Sequence, residues 1–258
     1  MTISRTPSDL GTRLNLFLTP PHPCGYLPEE QASTLFVDPA DTMHPALYEQ
    51  LLERGFRRSG QHVYRPFCTA CQACIPVRVP VARFRMRRTQ RRIWQRNADL
   101  THRDLQPAWH SDHFDLYRRY LHQRHRGGPM DDPQPDTFLE FLVGEWSHTH
   151  FHEFRLHGRL VMIAVVDDQP SSLSATYTFF DPELETRSLG TYAILWEIEH
   201  ARQVGKSCLY LGYWIANCQK MRYKNRFQPL EAFDDALWRE LPPGNTDQNP
   251  PCNSPDHP

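Results

Sequence analysis

Apolar residues in the second half of the chain recur at the spacing of helices and strands. Residues 111–124 and 135–144 carry apolar positions three and four apart, which predicts two amphipathic helices. β-Branched and aromatic residues then predict three strands, over residues 151–156, 160–166 and 173–180. A longer helix, a buried strand and a short helix follow, over residues 188–204, 207–213 and 218–223. This order predicts an α+β fold of mixed α/β type.

The first half of the chain shows shorter elements. Its pattern predicts a strand, a helix, a second strand and a basic helix, over residues 14–18, 41–55, 56–66 and 89–97. Residues 75–81 alternate like a strand, with Arg78 pointing away from the buried face. Pro76 and Pro80 cannot donate backbone hydrogen bonds, so we expect this strand at a sheet edge.

Length and composition fit a soluble protein of one or two domains. The 258 residues are 39% hydrophobic and 23% charged, as in ordinary globular proteins. No apolar run could span a membrane and the N-terminus does not resemble a signal peptide, so we expect a cytoplasmic protein with no membrane partner. The pattern divides the chain into an N-terminal domain rich in cysteine and arginine, a second domain and a disordered tail, over residues 1–105, 106–241 and 242–258.

The net charge of −1 hides a strongly basic region in the first half of the chain. Residues 54–103 contain thirteen arginines and one acid, Asp99. Arginine forks bind carboxylates and phosphates with two hydrogen bonds, so this excess predicts an anionic ligand. The alternative is a solvated basic face that binds nothing.

A second basic segment lies near the end of the predicted domain. Residues 218–227 interleave cations with aromatic rings, which suits an RNA end because charges contact phosphates and rings stack on unpaired bases. The candidate RNA-binding residues are Lys220, Arg222, Tyr223 and Lys224. The alternative is an exposed helix with ordinary surface lysines.

Three cysteines, Cys68, Cys71 and Cys74, lie close together in sequence, and Cys24 could complete a set of four. Four thiolates can bind zinc or an iron–sulfur cluster. Cysteine also packs as a small apolar residue. We expect no required metal or other cofactor, with these four residues as weak candidate ligands.

Residues 174–228 follow the order of acyl-transferring folds of the GCN5-related acetyltransferase kind: a β-rich run, a capped helix, a buried strand and a basic segment. The start of that helix offers backbone N–H groups for an oxyanion, at Ser188, Gly190 and Thr191. Acetyltransferases usually place a glycine-rich loop there for a pyrophosphate. This chain has one glycine in the turn, which favours a different acyl carrier.

Several motifs resemble the arginyl-tRNA–protein transferase family, and in particular its bacterial branch. They are Pro-Cys-Gly-Tyr-Leu-Pro (23–28), Gly-Phe-Arg-Arg-Ser-Gly (55–60), Tyr-Arg-Pro (64–66), Cys-Ile-Pro-Val-Arg-Val (74–79), Gln-Arg-Arg (90–92), Arg-Asn (96–97) and the whole run 177–224. The resemblance covers most of residues 15 to 235. Eukaryotic relatives carry another cysteine where this chain has Leu27, and they pair two adjacent cysteines.

The resemblance implies that leucine moves from leucyl-tRNA to the α-amino group of proteins that begin with Asp or Glu, which marks them for N-end-rule degradation. It also implies an acetyltransferase-like catalytic half with a separate N-terminal α/β half. A cation must then distinguish an acceptor's carboxylate from the amide of Asn or Gln, and the candidates are Arg78, Arg91 and Arg92.

Three alternatives stay open from the residues. The first is arginine transfer to the same acceptors, which is the family's other chemistry. The second is an N-acetyltransferase that uses acetyl-coenzyme A. The third is a cysteine-rich module that binds RNA without catalysis.

Overall fold

The computed structural model describes residues 13–124 and 131–242. Within these residues the strands form a four-stranded sheet, a two-stranded sheet and an eight-stranded sheet. The first two contain β1 (Leu16–Leu18), β2 (His22–Pro23), β3 (Gln31–Ala32), β4 (Thr34–Val37), β5 (Arg57–Ser59) and β6 (His62–Pro66). The eight-stranded sheet contains β7 (Ile75–Pro80), β8 (Leu100–Leu105), β9 (Thr149–Leu156), β10 (Arg159–Asp168), β11 (Ser172–Phe180), β12 (Cys208–Trp214), β13 (Leu230–Asp234) and β14 (Leu237–Leu241).

The α-helices agree closely with the apolar periodicity of the sequence. They are α1 (Pro45–Glu53), α2 (Arg88–Arg96), α3 (Ser111–Arg124), α4 (Pro135–Leu142), α5 (Leu189–Gln203) and α6 (Gln219–Arg222). Short 3-10 turns cover Pro182–Arg187 and Tyr223–Arg226. No helix in the described ranges is long and apolar enough to cross a bilayer.

The order of the large sheet is β14-β13-β7-β12-β11-β10-β9-β8. Strands β9, β10 and β11 are antiparallel, and β12 pairs parallel to β11 after the crossover through α5. This is the predicted acetyltransferase-like arrangement within a mixed α/β fold, and both predictions are confirmed.

Helices cover both faces of the large sheet because successive side chains of each strand point to opposite faces. On one face, α5 and α2 pack over Val79, Leu209 and Leu211. On the other face, α3 and α4 pack over the antiparallel strands, burying Leu116 and Phe138. A third core lies between α1, the four-stranded sheet and the Cys208 and Tyr210 side of β12. The four-stranded sheet is therefore docked directly on the large one.

The division between the sheets differs from the predicted domain boundary after residue 105. Both β7 and β8 come from the first 105 residues, yet they lie in the eight-stranded sheet with β9–β14. The predicted tail lies, from residue 243 onward, outside the described residues.

The prediction that residues 75–81 form an edge strand is wrong. Strand β7 lies inside the large sheet, between β13 and β12. Its contact with β13 is limited to Val77 and Arg78, so Pro76 and Pro80 need no hydrogen-bond donor on that side. The hairpin of β13 and β14 and the strand β8 were not predicted as strands.

Candidate functional site

The parallel strands β11 and β12 pair over a short stretch only, which leaves a space between their carboxyl ends. Their pairing ends at Ser174 and Tyr210, although β11 continues to Phe180 and β12 to Trp214. Gly212, with a φ of +80°, lies where β12 shifts register, in a conformation that favours glycine. We call the space between the unpaired ends the strand gap.

Arg57 enters the strand gap from β5. Its NH1 atom donates to Ser174 Oγ at 3.1 Å and its NH2 atom donates to the Ala175 carbonyl at 2.5 Å. The guanidinium therefore satisfies a carbonyl where β11 no longer pairs with β12. A Cβ atom at Gly212 would lie 3.4 Å from Arg57 Nε, so Gly212 and the guanidinium are in van der Waals contact.

Lys224 lies in the same gap, and its position corrects the sequence prediction. The residue is 8% exposed, and its Nζ donates to the Tyr213 carbonyl at 2.6 Å and contacts Met221 Sδ at 3.5 Å. The ammonium is enclosed instead of facing solvent, so its predicted role as a surface phosphate contact is wrong. Burial and then the charge of Arg57 lower the pKa of Lys224 to about 7. Burial disfavours the charged form of the lysine, and the arginine repels a second positive charge.

A buried acid on α5 faces the same region. Glu197 is fully buried, and neither carboxylate oxygen has a hydrogen-bond partner among the described residues. Burial raises the pKa of Glu197 to about 8, against the opposing effect of Arg57. Buried polar groups without partners are rare, and strongly shifted acids collect at functional sites. The sequence signal was available, since Glu197 shares the buried helix face with Ile194 and Ala201.

The start of α5 supplies fewer oxyanion donors than the sequence predicts. The Ser188 N–H donates to the Glu185 carbonyl, and the Thr191 N–H donates to the Ser188 carbonyl, each at 3.0 Å. Both groups are already used, so these two assignments are wrong. Ser188 is also left-handed, at φ +53°, and makes no side-chain cap. For the Gly190 N–H, no backbone partner is found within residues 13–124 and 131–242.

Aromatic rings from several elements line up beside the strand gap. Tyr120 of α3 contacts Phe180 with ring centroids 5.0 Å apart and Tyr177 at 6.4 Å. Burial raises the pKa of Tyr223, with smaller contributions from Tyr120 and Glu197. Tyr223, predicted to stack on a base, is half-buried at this wall.

A hydrogen bond joins the two basic regions that the sequence predicts separately. Gln90 of α2 donates to the Arg226 carbonyl at 3.1 Å, which ties α2 to the segment after α6. Arg91 and Arg92 are exposed on α2. We call the cations of these two segments the basic surface: Arg88, Arg91, Arg92 and Arg226, which are exposed, and Lys220 and Arg222, which are half-buried. Such a surface suits a polyanion such as RNA.

Arg78 is already paired with an acid of the protein. Its Nε donates to Glu231 Oε2 at 2.8 Å and its NH1 donates to the Tyr210 hydroxyl at 3.3 Å. The guanidinium also lies 4.3 Å from the centre of the Trp238 ring. An acceptor carboxylate would have to displace Glu231, so the geometry does not support the prediction that Arg78 binds the acceptor.

We call the segment that carries Cys68, Cys71 and Cys74 the cysteine turn. It adjoins the strand gap, because the Cys74 thiol influences the pKa of Lys224. Burial raises the pKa of Cys74 to about 12, and the other three candidate ligands and Cys218 add to the shift. The sulfurs of Cys24, Cys68, Cys71 and Cys74 are therefore neighbours. These four residues lie in the described ranges, and no three of their sulfur atoms are within 4.8 Å of one another. Sulfurs that share one zinc ion at bond lengths of about 2.3 Å lie closer together than that. The sulfurs as placed do not form a tetrahedral site.

Asp112, His113 and Glu153 do bring ligand atoms within 4.8 Å of one another. Arg155 already bridges this group, with hydrogen bonds to Asp112 at 2.7 Å and Glu153 at 2.6 Å. The guanidinium lowers the pKa of Glu153 to about 2. We interpret the cluster as a structural ion network.

Family models match both halves of the chain. The model described as "Arginine-tRNA-protein transferase, N terminus" matches residues 22–92, and "Arginine-tRNA-protein transferase, C terminus" matches residues 112–234. The first match contains Cys68, Cys71 and Cys74, strand β7 and the first part of α2. The second contains β11, β12 and Lys224 of the strand gap, and each match contains three of the six residues of the basic surface.

Full-length relatives and solved structures are also similar. An aspartate/glutamate leucyltransferase of Pseudomonas aeruginosa is 54% identical over 89% of this chain and 97% of the relative. One of Pseudomonas fluorescens is 52% identical over 88% and 96%. Among structures, L-PGS from Bacillus licheniformis has a TM-score of 0.43 and 12% identity over 66% of this chain and 49% of that chain. FemX has a TM-score of 0.41 and 8% identity over 64% and 59%.

The sequence identity to these relatives exceeds 50% over nearly the whole chain, and two family models match its two halves. The chain therefore belongs to the arginine-tRNA-protein transferase family, with aspartate/glutamate leucyltransferases among its relatives.

Proposed function

We propose that the protein transfers leucine from leucyl-tRNA to the α-amino group of proteins that begin with Asp or Glu, which marks them for N-end-rule degradation. The observation that carries this proposal is the near full-length similarity to aspartate/glutamate leucyltransferases. The strand gap and the basic surface support it, because an aminoacyl ester needs room between elements of the fold and its tRNA needs a positively charged surface. We expect no other cofactor.

The reaction needs positioning more than a covalent intermediate. An aminoacyl ester is already activated, so the enzyme must hold its carbonyl about 3–3.5 Å from the acceptor amine. The basic surface would bind the tRNA near its acceptor end, and the aminoacyl group would enter the strand gap. The Gly190 N–H at the start of α5 is the remaining predicted donor to the tetrahedral oxyanion.

A transfer assay with defined donors tests the proposal. The protein is incubated with leucyl-tRNA, arginyl-tRNA or acetyl-coenzyme A and a peptide that begins with Asp, and the peptide mass is measured. We expect a gain of one leucyl residue with leucyl-tRNA alone. A peptide of the same sequence that begins with Asn is the matched control for charge recognition.

Each other outcome identifies an alternative. A gain of one arginyl residue would show that arginyl-tRNA is the donor. A gain of one acetyl group would show that the protein is an N-acetyltransferase. Tight tRNA binding without any mass gain would leave an RNA-binding module.

Replacement of Arg78 tests its revised role. We expect Arg78→Lys to destabilise the protein by about 1 kcal/mol, because a lysine cannot keep the hydrogen bonds to both Glu231 and the Tyr210 hydroxyl and the contact with Trp238. Preference for Asp over Asn acceptors should not change. Denaturant unfolding and the paired-peptide assay measure both effects, and a lost preference would restore Arg78 as the acceptor-binding residue.

The cysteines give a second expected result. We expect protein purified without added metal to be folded and active, and a chelator to change little. Cys71→Ser should cost about 0.5–3 kcal/mol of stability, as point changes usually do. Elemental analysis, unfolding and transfer with and without chelator provide the measurements. Stoichiometric zinc or iron with loss of activity on chelation would instead make Cys24, Cys68, Cys71 and Cys74 a ligand set.

A further inference from the structure

We propose that Lys224 is the general base of the transfer reaction, taking the proton from the acceptor's α-amino nitrogen as that nitrogen attacks the ester. This inference rests on the proposed function and assigns a role to a residue that the positioning mechanism leaves unused. It concerns the side chain enclosed in the strand gap, not the surface cations nearby.

The position of Lys224 is the first argument. Its Nζ is held at the unpaired end of β12 by the Tyr213 carbonyl at 2.6 Å. Across the gap, Ala175 to Thr178 of β11 are only half-buried and are not paired with β12. An amine and an ester that meet between these strands would therefore lie beside Nζ. Gly212 of β12 also lies next to Nζ, since a Cβ atom there would be 3.7 Å from it.

The surroundings of Lys224 are the second argument. A lysine with a structural role is usually paired with a carboxylate, as Lys206 is with Asp168 at 2.5 Å. No ion pair of Lys224 is found within the described ranges, and the charge that reaches it from β5 is the like charge of Arg57. The other titratable groups around it are Cys74 before β7, Cys218 before α6, Tyr213 on β12 and, across Arg57, Glu197 on α5.

Burial, then Arg57, brings the pKa of Lys224 to about 7, while the two thiols act weakly in the opposite direction. A base must be unprotonated to act, and a pKa near the working pH gives both a useful neutral fraction and enough basicity. The α-amino group of the acceptor has a pKa of about 7.7–8.0 and is partly neutral at the same pH. Both partners are then available as neutral amines.

The step balances without a further reactant. The acceptor nitrogen forms a bond to the ester carbonyl carbon, and Nζ takes a proton from that nitrogen. The bond from the carbonyl carbon to the tRNA ribose oxygen breaks, and Nζ returns the proton to that oxygen. The products are the extended peptide and uncharged tRNA, with Lys224 neutral again.

The test is the pH dependence of kcat/KM for a peptide that begins with Asp, measured with leucyl-tRNA. Two variants remove the base. Lys224→Met preserves the volume of the side chain, and Lys224→Gln preserves a donor toward Tyr213. We expect kcat/KM at pH 7.5 to fall by about 10²–10⁴-fold in both, the usual contribution of general acid–base catalysis. Lys206→Met is the matched control, because Lys206 also donates to a carbonyl, that of Gln169 at 2.6 Å.

The shape of the profile separates a base from a structural lysine. The measured quantity is the slope of log kcat/KM against pH below about pH 7. This slope should be about one unit larger in the wild type than in either variant, because activity then requires loss of a proton from Lys224 as well as from the substrates. If Lys224 is only structural, its replacement lowers the rate but leaves the slope the same in wild type and variants. Substrate ionisations are common to all enzymes in the comparison and therefore cancel.

The outcomes are distinct from those of the proposed function. No leucyl transfer by the wild type would overturn the function itself. Wild-type transfer with an equal slope in wild type and variants would overturn the base assignment alone. Circular dichroism and tRNA affinity show whether the variants fold. If both variants unfold, the ionisation of Nζ is followed in the wild type by NMR, and a lysine that stays charged up to pH 9 overturns the proposal.

Discussion

Neutralising the basic surface is expected to weaken binding of charged tRNA by about a hundredfold or more at low salt, because phosphate contacts supply most non-specific affinity for nucleic acid. The variant replaces five of its six cations with glutamine: Arg88, Arg92, Lys220, Arg222 and Arg226. Arg91 is kept, because it donates to the Met86 carbonyl at 2.6 Å. These residues come from α2, from α6 and from the 3-10 turn after α6, and Gln90 joins α2 to that turn through the Arg226 carbonyl.

The salt dependence gives the sharper measurement. Each phosphate contact that is lost should reduce the slope of log K against log salt by about 0.7–0.9. Five contacts would therefore change the slope by about 3.5–4.5, and fewer contacts would change it in proportion. Filter binding or fluorescence anisotropy over a salt series measures both the affinity and the slope.

A matched pair of double variants controls for net charge. One replaces Arg88 and Arg92 on the basic surface, and the other replaces Arg118 and Arg239, which are also exposed but lie on α3 and β14. Both lose two positive charges. Equal effects of the two double variants would show that the tRNA does not lie on this surface.

The large elements of the fold were predictable because their apolar residues follow a regular period. Helix α3 matches the predicted residues 111–124, and α5 differs from 188–204 by one residue at each end. Strand β7 was found but misplaced at an edge, because pattern alone does not show that β13 pairs with only Val77 and Arg78. The partners of a strand are set by tertiary contacts far away in sequence.

The sequence predicts which segments of the chain form the site, but it does not predict the role of each residue in them. The segment 218–227 was identified as basic and aromatic, yet its spacing does not show that Lys224 turns inward while Arg226 remains exposed. Arg57 belongs to a motif that the family resemblance identified, but its partner Ser174 lies 117 residues away. Long-range contacts of this kind give a residue its chemistry and leave no local signal.

The adjacent Arg58 makes the contact whose loss should cost the protein most. Its Nε donates to Asp167 Oδ2 at 2.6 Å and its NH2 donates to Oδ1 at 2.5 Å. Both side chains are 0% exposed. Thr149 and Thr176 donate to the same carboxylate at 2.8 and 3.0 Å. This network links β5 of the four-stranded sheet to β9, β10 and β11 of the large sheet.

We expect Asp167→Asn to destabilise the protein by about 3–5 kcal/mol, because it leaves the buried guanidinium of Arg58 without a countercharge. That is a large fraction of the usual total stability of about 5–15 kcal/mol. Denaturant unfolding followed by circular dichroism measures the change. The double variant Arg58→Met with Asp167→Leu removes both charges and should recover part of the loss.

A surface ion pair provides the control for charge removal. Arg118 and Asp115 lie 3.2 Å apart with side chains 60% and 62% exposed, so solvent screens their attraction. Asp115→Asn should change the free energy of unfolding by no more than about 0.5 kcal/mol. If Asp167→Asn is as mild as Asp115→Asn, the Arg58–Asp167 network does not fix the two sheets together. The docking that brings Arg57 into the strand gap would then depend on the apolar contacts of α1 and β12 and on other hydrogen bonds, such as that from the Tyr213 hydroxyl to the Gly55 carbonyl at 2.9 Å.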